Sequence, residues 1–211
     1  MTIIKKSRMF SKFILGLLLV CAFAFAVFAQ QTGNQRISDF ANVQTIASSF
    51  EMKQYVSIAD KPFVTSGRFY FQKPGNLRWE YLSPYKRGIV INGPKILEWE
   101  EKLDRKWIKD ISSQPAAKAM ILQLYTFVSM DESNISKIYK IEDLKGGISL
   151  TPIDNSKNQA ILRINILFRE DIPAVKEVDI ISKNGDKSII SFFDTKINEA
   201  LPQNIFEISD K

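Results

Sequence analysis

Along most of the chain, apolar and polar residues alternate with a period of two, which is typical of strands that bury one face. The first half contains a strand from about Ser49 and five short alternating runs, separated by turn signals such as Lys73-Pro74-Gly75-Asn76 and Asn92-Gly93. Six strands are therefore predicted before residue 112. The five runs are SGRFYFQ, LRWEYL, KRGIVI, KILEWE and RKWIKDI.

The same period returns in the second half of the chain. Asn184-Gly185 predicts the last hairpin, and the segment Leu201 to Phe206 is expected to dock the C-terminus. About eleven closely spaced strands predict a mainly β protein, a single curved antiparallel sheet or a barrel, with a sandwich as the alternative. The runs are SKIYKIEDL, GISLTPI, AILRINILF, VKEVDIIS and KSIISFFDTKIN.

Two stretches have helical spacing instead. Near the start, Ile37, Phe40 and Val43 recur at helical intervals, with Ala41 and Ile46 as further candidates, and predict a short N-terminal helix. Residues 114–129 predict an amphipathic helix behind the start Ser112-Ser113-Gln114-Pro115. Its apolar stripe consists of Ala116, Met120, Leu124 and Phe127, continued by Val128.

The N-terminal segment has the pattern of a secretory signal peptide: cations, then an apolar run, then Val27-Phe28-Ala29. We expect cleavage after Ala29, with residues 30–211 forming one domain. An uncleaved membrane anchor and lipidation of Cys21 are alternatives, the latter disfavoured by Val20 where such a site needs a small residue. Loss of four cations with the leader lowers the formal net charge from +6 to +2. No polyanionic partner and no nucleic acid is therefore expected.

The composition removes most catalytic chemistry from consideration. The chain has no histidine, and its single cysteine lies in the predicted leader, which excludes Ser-His and Cys-His relays and the usual zinc sites from residues 30–211. Glu98 and Glu100 share a strand face opposite Leu97 and Trp99 and are expected to point to water. The run at 154–158 is a turn rather than a calcium loop. We therefore expect no enzyme activity, no metal and no cofactor.

Large apolar side chains occur on nearly every predicted strand. A filled core would explain them, but a sheet that curves around unfilled space would make them the lining of a ligand cavity. Periodicity alone does not distinguish the two. The candidate lining residues are Phe50, Met52, Phe69, Phe71, Leu77, Trp79, Tyr81, Leu97, Trp99, Trp107, Phe168 and Phe192.

Three segments of the chain carry a combination of short motifs. Residues 67–100 have a glycine-started strand, a basic residue before proline, a polar-aromatic strand and Asn-Gly before a further aromatic strand. Residues 46–54 have an apolar-x-x-x-Phe-x-x-x-Gln pattern, and residues 179–208 have two closing strands followed by a Pro-x-x-x-Phe run. Together these segments resemble the outer-membrane lipoprotein carrier protein family (LolA-like). The resemblance implies an incomplete, half-open β-barrel with short α-helices as a lid.

The resemblance also implies roles for particular residues. Lys73 would occupy the basic lid position, Leu77 and Trp79 would face the cavity, and the helix at 114–129 would form part of the lid. The family usually has arginine where this chain has Lys73, which loses forked hydrogen bonding. A C-terminal extension found in some members is not expected after Lys211.

The function implied is that of a monomeric periplasmic carrier, which moves acylated lipoproteins from the inner to the outer membrane. Its partners would be an inner-membrane ABC-type lipoprotein-releasing complex (LolCDE-like) and an outer-membrane acceptor (LolB-like). A periplasmic sensor of similar fold, which binds lipid or lipoprotein and regulates an envelope-stress partner, is the alternative. A hydrolase is disfavoured because no activated nucleophile is visible.

Overall fold

The structure is a computed structural model, and it describes residues 37–110, 130–154 and 160–208. All of these residues belong to one compact unit, Gly33–Lys211. Within them the chain is built almost entirely of strands, as the alternating pattern predicts. The signal peptide and the helix at 114–129 are predictions that lie outside the described residues.

Eleven strands form one sheet in which every neighbouring pair is antiparallel. Their order is β6-β5-β4-β3-β2-β1-β11-β10-β9-β8-β7, so β6 and β7 are the two edges of an open sheet. The predicted fold class, an incomplete barrel of about eleven strands, is confirmed. The strands are β1 (Thr45–Tyr55), β2 (Phe63–Gln72), β3 (Asn76–Ser83), β4 (Arg87–Asn92), β5 (Lys95–Glu100), β6 (Arg105–Asp110), β7 (Tyr139–Leu144), β8 (Gly147–Pro152), β9 (Ile161–Phe168), β10 (Val175–Ser182) and β11 (Lys187–Ile197).

The described helices are short. Residues 37–39 are helical and continue into a 3-10 helix, Phe40–Asn42. A second 3-10 helix, Glu101–Leu103, joins β5 to β6, and an α-helix, α1 (Glu132–Ile135), precedes β7. The N-terminal helix is therefore confirmed, but β1 begins four residues earlier than the predicted Ser49. Ile46 lies three residues after Val43, so its spacing also fits a helix, yet it belongs to the strand.

Cross-strand pairing places one set of apolar residues on the inner face of the sheet. Phe71 pairs with Leu77, Leu77 with Ile91, and Ile91 with Ile96, and all four side chains are buried. Partners in an antiparallel pair point to the same face, so this row defines the inner side. The main apolar cluster lies there and also takes in Phe40 and the segment around α1.

A second, smaller cluster covers the outer face of β2, β4 and β5. Tyr70, Val90 and Leu97 pack there against Phe206 from the C-terminal segment. The Nδ2 of Asn92 donates a hydrogen bond of 3.0 Å to the carbonyl oxygen of Phe206. The predicted docking of the C-terminus is confirmed, and it makes this part of the sheet apolar on both faces.

Candidate functional site

A cavity of about 220 Å³ lies against the inner face of the sheet. Its wall comes mostly from β9, β10 and β11, joined by aromatic residues of β2 and β3 and by two residues from the segments that cover the sheet. The polar side-chain atoms in the wall come from one serine, one threonine and the indole nitrogen of one tryptophan. The lining residues are Phe40, Ile46, Ser48, Phe69, Trp79, Met130, Ile164, Ile166, Ala174, Val175, Val178, Ile180, Ile190, Phe192 and Thr195.

Aromatic packing around Trp79 forms one end of this wall. The ring of Trp79 lies 4.5 Å from that of Phe50, 5.5 Å from Phe69 and 6.1 Å from Phe192, measured between centroids. The contacts to Phe69 and Phe192 are edge-to-face, the geometry that ring quadrupoles favour. Register explains the cluster, because Phe69 pairs directly with Trp79, and Phe50 pairs with Phe192.

The cavity wall holds three polar groups. A β-bulge between β1 and β11, with Asp194 at a φ of +52°, brings Ser48 and Thr195 together. Their hydroxyl oxygens lie 2.8 Å apart, and the Ser48 hydroxyl also lies within hydrogen-bonding distance, 3.1 Å, of the carbonyl oxygen of Phe193. The third group, the Nε1 of Trp79, is buried and has no partner among the described residues. The wall is otherwise apolar, which suits a hydrocarbon ligand.

The N-terminal helical segment covers part of the cavity. Phe40 is buried, and its ring centroid lies 5.5 Å from that of Phe168. Lys73, in the β2–β3 turn, donates from Nζ to the carbonyl oxygen of Ala41 over 2.8 Å. Its backbone N–H donates to the carbonyl oxygen of Gln44 over 2.9 Å. Lys73 therefore joins the turn to the segment that covers the cavity.

Asn198, just after β11, holds the other side of the same segment. Its Oδ1 accepts hydrogen bonds from the backbone N–H groups of Gln44 at 2.7 Å and Thr45 at 3.3 Å. Its Nδ2 donates to the carbonyl oxygen of Asn42 over 3.2 Å. The point where the covering segment enters β1 is thus tied to the sheet by one asparagine side chain.

A second covering element is α1 with the residues before it. Asp131 caps this helix, its carboxylate accepting hydrogen bonds from the Ser133 hydroxyl at 2.8 Å and the Asn134 N–H at 3.2 Å. The hydrogen bond from the Ser133 hydroxyl lowers the pKa of Asp131 from its ordinary value; desolvation opposes this effect, and the hydrogen bonds from Asn134 add to it. The cap fixes Ile135, which is fully buried in the main cluster.

Most of the predicted lining residues do come together. Phe69, Trp79 and Phe192 line the cavity itself. Five others are buried in the main cluster beside it, and Tyr81 packs against that cluster. Trp79 and its neighbour Arg78 lie on opposite faces of β3, since Arg78 lies over the ring of Trp99 on the outer side. The five buried residues are Phe50, Met52, Phe71, Leu77 and Phe168.

Leu97 and Trp99 do not belong to the cavity, so their assignment to its lining is wrong. Leu97 pairs with Val90 and packs with Trp99 in the outer cluster, under the C-terminal segment. The physical reason is that both faces of β5 are buried, so the more aromatic face need not be the inner one. Glu98 lies opposite them, as predicted, but on the inner side, where it is half-buried beside Ile89.

Trp107 is not in the buried wall either. It lies on the edge strand β6, in register with Glu98, and its side chain is 42 % exposed. Arg105 and Lys109 flank its ring at 6.0 Å and 5.9 Å. The prediction that Trp107 lines the cavity is therefore wrong, because an edge strand leaves its side chains open to water.

The prediction missed the aliphatic half of the wall. Selection by size favoured aromatic residues, although the alternation in AILRINILF and VKEVDIIS marks Ile164, Ile166, Val178 and Ile180. That alternation was the available signal. The lid residues Ala116, Met120, Leu124 and Phe127 lie outside the described residues, and their role stays a prediction.

Two searches of the described residues bear on other kinds of site. In the ranges 37–110, 130–154 and 160–208, no group of three or more acidic or other metal-ligating side chains could hold a metal ion. Among these same residues, no helix has both the length and the hydropathy that crossing a bilayer requires.

Comparison with known proteins connects this architecture to a family. The sequence model described as "Outer membrane lipoprotein carrier protein LolA" matches residues 41–209. Outer-membrane lipoprotein carrier proteins of Halorhodospira halophila and Pseudomonas paraeruginosa are 21 % and 25 % identical, over 90 % and 82 % of this chain and 88 % and 81 % of theirs.

A solved structure adds support for the fold. An uncharacterized conserved protein of Thermus thermophilus superposes with a TM-score of 0.51 at 11 % identity, covering 84 % of this chain and 94 % of its own. The sequence match extends from the covering segment at Ala41 through the whole sheet to the docked C-terminal segment. The chain therefore belongs to the outer membrane lipoprotein carrier protein family.

Proposed function

We propose that this protein is a periplasmic carrier that binds the acyl chains of lipoproteins in its cavity and moves them from the inner to the outer membrane. The observation that carries the proposal is the apolar cavity under a covering segment held by few polar contacts. Membership of the carrier family supports it. Relatives that span most of this chain are themselves described as carriers of this kind.

The cavity wall is almost entirely apolar, and burial there would stabilise a bound hydrocarbon chain. At about 0.8 kcal/mol per buried CH₂, a chain of about 16 carbons would gain on the order of 12 kcal/mol gross. Three such chains would exceed the roughly 20 kcal/mol at which non-covalent affinity saturates. Cargo must therefore be partly buried or its binding offset by opening of the protein, and either condition allows release.

The size of the cavity points to opening. At about 220 Å³ it is smaller than the roughly 300–1,000 Å³ of pockets that hold small-molecule ligands. We infer that the structure represents the closed form. Loading would then require the segment that contains Phe40 to move off the sheet, together with the predicted helix at 114–129.

Export and partners complete the proposal. The N-terminal pattern supports cleavage after Ala29 and a periplasmic location. Donor and acceptor would be an inner-membrane ABC-type releasing complex and an outer-membrane receptor. Carriage by reversible burial involves no bond making, so no catalytic activity is proposed.

A pair of variants on one strand tests the cavity. Ile180 lines it, whereas Ile181 points to the other face of β10 and is similarly half-buried. Ile180→Trp should fill the space and weaken binding of a fluorescent acyl probe by about tenfold or more, while the protein stays folded because the cavity accepts the larger side chain. Ile181→Trp should bind as the unchanged protein does.

A second measurement separates a carrier from a sensor. The protein is incubated with inner-membrane vesicles that hold a lipoprotein, and the soluble fraction is then presented to outer-membrane vesicles. A carrier should remove the lipoprotein and deliver it, and Ile180→Trp should do so poorly. Equal probe binding by Ile180→Trp and Ile181→Trp would rule out the cavity as the binding site. Binding of lipoprotein without its delivery to outer-membrane vesicles would favour the sensor.

A further inference from the structure

Strand connections place many loops at one end of the sheet. Since neighbouring strands alternate in direction, the connections 56–62, 84–86, 101–104 and 183–186 all lie at the same end. The start of β7 and the end of β8 lie there too. We call this the Ile58 end. Lys73 and the covering segment are at the opposite end, where β1 begins.

The Ile58 end concentrates exposed apolar side chains. In the β1–β2 connection, Ile58 is 93 % exposed, and Phe63, the first residue of β2, is 58 % exposed. The connection is held in position, because the backbone N–H of Ser57 donates to Oδ1 of Asp186 over 3.1 Å. Ile58 thus projects from an anchored loop.

Neighbouring connections repeat this feature. Tyr85 follows the end of β3, and Leu103 lies between β5 and β6, both exposed. On the far side of the sheet, Ile138 precedes β7 and Ile153 follows β8, so both lie at the open end of that hairpin, which is at the Ile58 end. Both side chains are exposed. Among the described residues, ten of thirteen exposed large apolar side chains are at or next to the Ile58 end, while one, Leu144, lies at the opposite end.

Cations accompany these apolar tips. The connections 56–62, 84–86, 101–104 and 183–186 contain four lysines and four acids, and the strand ends beside them add Arg87, Arg105 and Lys187 against Glu100. The Nζ of Lys102 lies 4.0 Å above the ring of Tyr85, and Arg87 lies 4.6 Å above that of Tyr81. Amphipathic rings beside cations are the composition that proteins present to the headgroup region of a bilayer.

We propose that the Ile58 end docks on the surface of a membrane that contains anionic lipid, with Ile58 and Phe63 inserted between the headgroups. Apolar residues concentrated at one end mark an interaction surface. Its form favours a bilayer, because a protein partner would need a complementary shape, whereas a lipid surface accepts separate tips that reach a similar depth. The cations then meet the anionic headgroups. This docking does not depend on the cargo proposed for the cavity.

Vesicle flotation tests the docking. The full chain is expressed with its own N-terminal segment, and the protein is purified in the form that the host produces. It is then mixed with phosphatidylcholine vesicles that either contain or lack phosphatidylglycerol. We expect stronger binding to the anionic vesicles, weakened by salt. The double variant Ile58→Asp, Phe63→Asp should lower this binding about tenfold, and Leu144→Asp at the opposite end should not.

A site-specific probe shows which end touches lipid. Cys21 is the single cysteine of the chain, so Ile58→Cys in a Cys21→Ser background gives one thiol for an environment-sensitive dye. Its emission should shift to the blue on anionic vesicles, and that of Leu144→Cys should stay unchanged. The absence of vesicle binding, equal loss in both aspartate variants, or a shift at residue 144 without one at residue 58 would each overturn the proposal.

Discussion

Lys73 and Ala41 are joined by a hydrogen bond of 2.8 Å from the lysine ammonium to the backbone carbonyl oxygen. The ammonium is a rotatable point charge, where the family's usual arginine would offer a planar fork. The contact supports the lid role that the resemblance implies for Lys73. The same contact shows what Lys73 holds, namely the N-terminal covering segment that contains Phe40.

Lys73→Leu should leave the sheet intact, because the backbone bond from Lys73 to Gln44 remains. The covering segment should open more often, so amide hydrogen exchange at Phe40 to Val43 should become faster. A bound acyl probe should also dissociate sooner. Lys61→Leu, which removes an exposed lysine at the other end of β2, is the control, and equal effects of both variants would contradict a latch.

Asn198 makes a sharper prediction because it combines side-chain bonds with a φ of +58°. Asn198→Gly keeps that backbone conformation but loses the bonds, and should lower the free energy of unfolding by about 1–2 kcal/mol. Asn198→Ala loses the hydrogen bonds and also disfavours the positive φ, so it should lower the free energy of unfolding by about 1 kcal/mol more than Asn198→Gly does. Urea unfolding measures the two values, and an alanine variant as stable as the glycine variant would refute the backbone contribution.

Gly67 should tolerate no side chain. A Cβ there would lie 1.8 Å from the carbonyl oxygen of Glu80 and 2.9 Å from the ring of Phe50, so β2 and β3 would have to separate. We expect Gly67→Ala to destabilise by more than about 3 kcal/mol or to prevent folding. Gly93→Ala meets no atom within 4 Å and suffers only from its φ of +56°, so thermal melting should show a loss of about 1 kcal/mol.

Phe206 tests the division between the two apolar clusters. Phe206→Ala removes a buried ring from the outer cluster and should cost about 3 kcal/mol or more. Probe affinity at low temperature should stay unchanged, because the outer cluster does not line the cavity. Phe192→Ala, on the cavity wall, should reduce that affinity instead. A loss of probe binding in folded Phe206→Ala protein would place the outer cluster in the binding site.

Local patterns predicted the strands well because alternation and turn residues are local properties. The bounds predicted for β5 and β10, Lys95–Glu100 and Val175–Ser182, are those observed. The face of a strand is not a local property when both of its sides are apolar. Leu97 was misplaced for that reason, and only its pairing with Val90 reveals that it faces outward.

Local sequence patterns could not predict the cavity either. Whether Phe69 and Trp79 fill a core or border a space depends on the curvature of the whole sheet and on what covers it. The covering segment is fixed by contacts across more than 150 residues, such as Asn198 with Gln44. No window of sequence contains both partners.

The outer cluster under Phe206 has a mechanical consequence for loading. It makes β2, β4 and β5 a wall two layers thick, whereas the outer face of β8 to β11 carries polar pairs such as Ser149 with Asn165 and Asp179 with Lys187. The cavity lies mostly against this thinner wall. A half-barrel so built has a stiff side and a compliant side, and bending of β9 to β11 is expected to add to the volume that the covering segment opens when it moves off the sheet.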